Sequence, residues 1–255
     1  MFTIKFFEKE VTMDYSNNVE PKGNRAVNIL IFIGLMFLVS SPTILAGSII
    51  YSAANRANVW IVIGIALIGI IWTVLMMWLF RWFYNKRSYE TQQHQFQLKD
   101  ILINILWLIG IRITIGIFTI IMQSIYNEDT SENDKIFINQ IEQLQHLSIS
   151  SVIALLFFLI IIVFVAPYLE ELLFRGIFKE TIFRKSAFLL PLIISSVIFS
   201  SLHGSTNWIS FLMYITLGMG FYMAYNRRKN LKDSMMVHML NNAFAGISMV
   251  IIVFT

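Results

Sequence analysis

Seven runs of apolar residues divide the chain, at about 27–52, 58–83, 101–126, 148–169, 188–203, 208–226 and 235–254. Most of them reach or exceed the ~20 residues that a helix needs to cross the hydrocarbon core of a bilayer. Backbone groups in hydrocarbon must be satisfied within their own segment, and no repeated ten-residue alternation of the barrel kind is present, so the pattern predicts helices. A semi-polar stretch from Pro167 to Lys185 reads as one more helix between the fourth and fifth runs. The expected architecture is all-α, a polytopic transmembrane helical bundle of seven to eight helices.

Composition agrees with the pattern. The 255 residues are 57% hydrophobic and 13% charged, where a soluble domain is about 45–50% apolar and about 25% charged. A soluble globular fold is excluded, and the stretches between runs are too short to hold a core of their own. With no cysteine, disulfides, thiolate nucleophiles, cysteine zinc sites and iron–sulfur clusters are excluded too. Chemistry has to come from carboxylates, histidines, hydroxyls or amides. The net charge of +4 sits in connecting loops and carries topology rather than a nucleic-acid surface. No internal repeat or Gly-rich phosphate loop is found, which argues against a nucleotide-driven pump.

Residues 1–25 mix both charge signs and lack a secretory signal's apolar core and cleavage site, so the first run is kept as a span. Met13 offers a second start. The 84–100 linker carries Lys86, Arg87 and Lys99, and the 227–232 loop carries Arg227, Arg228, Lys229 and Lys232. The 127–147 linker holds Glu128, Asp129, Glu132, Asp134 and Glu142 against Lys135 alone. By the positive-inside rule the first two face the cytoplasm and the third faces out, which fits a cytoplasmic N-terminal segment (1–26) and seven crossings. Ile136, Phe137, Ile141 and Leu144 in the acidic linker have helical spacing, so the linker reads as a short interfacial helix or an exposed loop.

Ionisable groups within spans demand a partner, a cavity or a reaction. The chain offers Arg112, Glu170, Glu171, Arg175, His203 and His238, with Asn241 and Asn242 beside the last. Pro167 suits the first turn of a new helix, which would set both glutamates near its positive end. Glu171 and Arg175 are i,i+4 neighbours, whereas Glu170 points about 100° away from Glu171. The economical division pairs Glu171 with Arg175 structurally and leaves Glu170 facing a polar cavity as a base; the competing reading makes both glutamates interfacial charges. His203, before Gly204, reads as a helix-end residue or a catalyst. His238 and Asn242 stack on one face inside the last run. His94 and His146 read as solvated. Arg112, central in the third run, is a buried counter-charge with Glu171 or Glu170 as candidate partner.

A carboxylate and a histidine can hold and deprotonate water, and a second histidine with an amide can donate to the oxyanion formed when that water attacks a carbonyl. The alternative is a zinc site with Glu170, His203 and His238 as ligands, although HExxH is absent. The metal-free hydrolytic reading, with no cofactor, is the one preferred.

The ordered set Glu170-Glu171-x-x-x-Arg175, Phe199-x-x-x-His203 and His238-x-x-x-Asn242, each on an apolar helix, resembles the CAAX protease and bacteriocin-processing (Abi) family of intramembrane endopeptidases. The resemblance covers roughly Pro167 to Asn242. It implies that Glu170 with His203 activates water and that His238 with Asn242 forms the oxyanion site. It divides the chain into the N-terminal segment, transmembrane helices and acidic loop over 27–147, and a catalytic helical core over 148–255. The function implied is cleavage of a membrane-associated peptide or protein in the bilayer, in a bacterial plasma membrane. The rivals are a non-proteolytic immunity or regulatory protein that binds a partner with the same fold, and a transporter, for which no paired repeat is present. One tension follows. Seven straight rods would leave Glu170 and His203 roughly 15 Å or more apart in depth, so a tilted or partly re-entrant arrangement of the 188–203 and 208–226 helices is expected.

Overall fold

The computed structural model describes residues 20–88, 95–144 and 148–254; His94, His146 and most of the N-terminal segment lie outside them. Among the described residues the fold is a bundle of eight helices. These are α1 (Arg25–Ala54), α2 (Val59–Arg87), α3 (Leu98–Tyr126), α4 (Glu132–Glu142), α5 (Ile149–Ile182), α6 (Leu189–Ser201), α7 (Trp208–Arg228) and α8 (Leu231–Phe254). All except α4 and α6 are long and apolar enough to cross a membrane. The chain forms an integral membrane protein. Trp60, Ile71 and Ile120 stand exposed on the bundle's exterior, as residues facing lipid do.

Local chemistry sets the boundaries. Asn24 Oδ1 accepts from Ala26 N at 2.8 Å to start α1, which breaks between Leu38 and Ser41 just before Pro42. Asn58 and Asn207 cap α2 and α7 in the same manner as Asn24. Left-handed Asn127 and Lys229 close α3 and α7. The acidic linker is helical after all, with Ser131 Oγ accepting from Asp134 N and with Ile141 and Leu144 buried.

Side-chain contacts sort the loops to two ends. Arg184 reaches Glu20, Arg87 reaches Asn28, Asn28 reaches the Thr181 carbonyl, and Arg227 and Arg228 reach Asp100. All of these lie at one, basic end. At the other, Asn207 donates to Glu128 and Ser131 meets Tyr214. The charge asymmetry read along the chain is therefore an asymmetry of the folded body.

α5 corrects one expectation. Pro167 does not begin a new helix; the chain runs through it as a single helix from Ile149 to Ile182. Two widened π segments, Ile161–Val165 and Leu172–Lys179, bracket the glutamates. Ala166 N donates five residues back, to the Ile161 carbonyl. A wider turn of this kind accommodates a proline that has no N–H to give. Glu170 and Glu171 thus gain nothing from a helix N-terminus and need side-chain partners. They lie about 18 Å, at 1.5 Å per residue, above the Ile182 end of α5. The short α6 climbs back from that end beside α7, where Gly218 sits so close that a Cβ would stand 3.0 Å from Ser196 Cα. The hairpin of α5 and α6 returns His203 toward the depth of Glu170 and removes the conflict of straight rods.

Candidate active site

A cavity of about 260 Å³ opens between α1, α3, α5, α6, α7 and α8, roofed by α4. Glu170, His203, His238 and Asn242 all line it, as do Arg112, Asn133, Asp134, Tyr214 and Asn241, within otherwise mainly apolar walls. The three motifs, 33 to 35 residues apart along the chain, meet in one space.

Glu171 is fully buried. Its Oε1 accepts from Arg175 Nη1 at 3.1 Å and lies 2.9 Å from His238 Nδ1. The i,i+4 pair is present, and Glu171 also orients the histidine, a second contact that sequence spacing did not reveal. Arg175 Nη2 donates to the Gly218 carbonyl at 2.6 Å. Gly218 therefore lets α6 approach α7 and offers its own carbonyl to Arg175.

Glu170 differs in lining the cavity, which Glu171 does not. Its Oε2, like Glu171 Oε2, is buried without a hydrogen-bond partner among the described residues, and His238 Nε2 lies 3.9 Å from it. The histidine next to Glu170 is therefore His238; no direct contact with His203 is seen. His203 turns Nδ1 to the Phe199 carbonyl at 2.7 Å. With Nδ1 donating to that carbonyl, Nε2 of the neutral ring is a bare acceptor. Both rings are clamped: His203 between Phe199 and Tyr214 at 4.3 and 4.6 Å, and His238 stacked on Phe221 at 4.1 Å. The i,i+4 spacing of Phe199 pointed to one of these partners; Tyr214 and Phe221 carried no sequence signal.

Asn242 Nδ2 donates to the Ile162 carbonyl at 2.9 Å. In the π register this is the carbonyl that the missing N–H of Pro167 would have met, so the proline in α5 frees an acceptor that fixes the amide on α8. One N–H of Asn242 is committed there and the second remains.

Arg112 does not fulfil its predicted role. It pairs with neither Glu170 nor Glu171, because Arg175 and His238 already answer Glu171; its guanidinium lies 5.6 Å from the Phe244 ring. Among the described residues no group of three or more His, Asp or Glu is gathered as a metal site.

Residues 152–244 match the family model described as type II CAAX prenyl endopeptidase Rce1-like. The chain is also 34% identical over 83 residues to a Bacillus subtilis (strain 168) protein named "Putative membrane peptidase YdiL", covering 32% of this chain and 33% of that protein. It thus spans about a third of the length of the curated relative it matches. No solved structure matches the chain. Both matches support a membrane peptidase in general terms. Over residues 152–244, the resemblance carried by the three motifs is borne out as that of the CAAX protease and bacteriocin-processing family.

Proposed function

We propose that the protein is an intramembrane endopeptidase that hydrolyses a peptide bond of a membrane-associated peptide or protein with water activated by Glu170. The observation that carries this reading is that Glu170, with a buried and unanswered carboxylate oxygen, shares one cavity with His203, His238 and Asn242. A water between Glu170 and the bare Nε2 of His203 donates one hydrogen bond to each acceptor, leaving its oxygen lone pairs for attack. Glu170 takes the proton and later gives it to the leaving amine. The remaining Nδ2–H of Asn242 and an Nε2–H of His238 donate to the oxyanion.

The basic end, with Arg87, Arg184, Arg227 and Arg228, is placed in the cytoplasm of a bacterial plasma membrane, and α4 at the external face. The reaction is metal-free. The test is proteolysis in liposomes on membrane peptides, comparing wild type with Glu170→Gln, each with and without a chelator. Cleavage that needs Glu170 and survives chelation is the expected result. Cleavage lost to the chelator and restored by zinc would overturn the metal-free assignment, and equal cleavage by both proteins would overturn Glu170 as base. A folded wild type that cleaves nothing would favour the partner-binding alternative.

A further inference from the structure

Two arginines of the spans stand at the candidate active site, and they are treated oppositely. Arg175 is fully buried, with a carboxylate and a backbone carbonyl as partners. Arg112 is half-buried on the wall of the same cavity as Glu170, His203, His238 and Asn242, and no carboxylate comes within ion-pairing distance of it among the described residues. Its ring neighbour Phe244 offers a weak, uncharged contact. A fixed cation at this depth is expensive to keep unless something answers it. Arg112 sits midway along α3, about 21 Å at 1.5 Å per residue from either end, too far for its side chain to reach the headgroups.

The cavity walls narrow the answer. Beside Arg112 they are mostly apolar, with Ile115, Phe137 and Met249 among them. The remaining acid on the wall is Asp134, on the roofing helix α4. The charge of Arg112 holds the Asp134 carboxyl lower than burial alone would set it, yet the two form no ion pair. A peptide entering this space would meet an unsatisfied planar fork of donors, a shape that matches a carboxylate through two parallel hydrogen bonds.

We infer that Arg112 is a specificity-determining residue that binds a carboxylate of the substrate peptide. The inference rests on the peptidase reading given above and names the substrate chemistry of that site. The carboxylate is either the C-terminal group of the peptide or an acidic side chain near the scissile bond; both present the same planar anion to the guanidinium.

Binding is measured on the Glu170→Gln protein, which holds peptide without cutting it, so that the result is readable whether or not wild type proves to be a protease. The probes are dansyl-labelled apolar peptides in four forms: free or amidated C-terminus, and Glu or Gln within the apolar run. The expected result is that neutralising one of the two carboxylates weakens binding by about tenfold or more; which one does so identifies the source. Adding Arg112→Gln should erase that difference, while Arg112→Lys, which keeps the charge but loses the fork, should retain part of it. If Arg112→Gln fails to fold, the four wild-type-arginine arms and Arg112→Lys still decide. Equal binding of all four peptides, binding of none, or an equal loss on all four when Arg112 is changed would each overturn the inference.

Discussion

At the basic end, Asp100 and Asp233 meet Arg227, Arg228 and Asn104, and every carboxylate oxygen has a cationic donor at 2.7–3.2 Å. At the cavity, Glu171 Oε1 is answered by Arg175 and His238, but Glu171 Oε2 and Glu170 Oε2 are buried without a hydrogen bond among the described residues, the latter 3.9 Å from His238 Nε2. Both clusters join residues from at least two helices and both bury charge. What separates them is completeness. The first ties the ends of α3, α7 and α8 together and has no acceptor left over; the second leaves two carboxylate oxygens unpartnered, and that of Glu170, on the cavity wall, is the one free to take a proton.

The comparison breaks most sharply at Glu170. Glu170→Gln keeps the shape but not the basicity, and should lower turnover by about 10²–10⁴ with thermal stability unchanged in detergent. Wild-type turnover would show that the free oxygen is incidental. Arg175→Ala acts in the opposite sense, because it strips a buried carboxylate of its partner. A loss of about 3–5 kcal/mol in stability, read as poor accumulation in the membrane or early thermal unfolding, is expected. Normal unfolding with full activity would mean that Glu171 is held by His238 alone.

Asn242→Ala sharpens the contrast within the site. It removes an oxyanion donor and should reduce kcat by about 10²–10³ with KM nearly steady; a rise in KM alone would move Asn242 from oxyanion to substrate binding. At the paired end Asp233→Asn should cost about 1–3 kcal/mol of stability and leave the turnover of the surviving fold unchanged. A fall in turnover at constant stability would show that the two clusters communicate.

The apolar runs made the bundle legible, since span length and loop charge follow directly from bilayer thickness and membrane orientation. The motif residues were legible as a set because ionisable side chains inside apolar helices stand out. Their connections were not. Helical spacing gave Glu171–Arg175 but not Glu171–His238, which joins α5 to α8 across 67 residues. Nor could it give the π segments: a proline in an apolar run signals a helix start as readily as a widened turn, and the Ala166–Ile161 and Asn242–Ile162 bonds show which occurred. Arg112 was assigned to the glutamates because opposite charges in a membrane should meet; packing gave those partners to Arg175 and His238 first.

The smallest effect expected lies in the roof of the cavity. Asp134 is outside the spans, and burial pushes its carboxyl above the usual 3.8, against the lowering by hydrogen bonds from Ser131 and Asn133 and by the charge of Arg112. A carboxyl raised in the folded state binds its proton more tightly there than in the unfolded chain. Its contribution is therefore full below pH 3.8 and falls as pH rises through the folded value. Half-exposed, Asp134 keeps part of its hydration, so the change should be local to α4 rather than global. Hydrogen exchange of the α4 amides should show protection declining as pH rises from about 4, once the intrinsic pH dependence of exchange is removed, and Asp134→Asn should flatten that decline. Arg112→Gln should steepen it by withdrawing the one charge that favours the ionised form. Identical profiles in all three proteins would mean that the acid on the roof and the arginine on the wall do not sense each other.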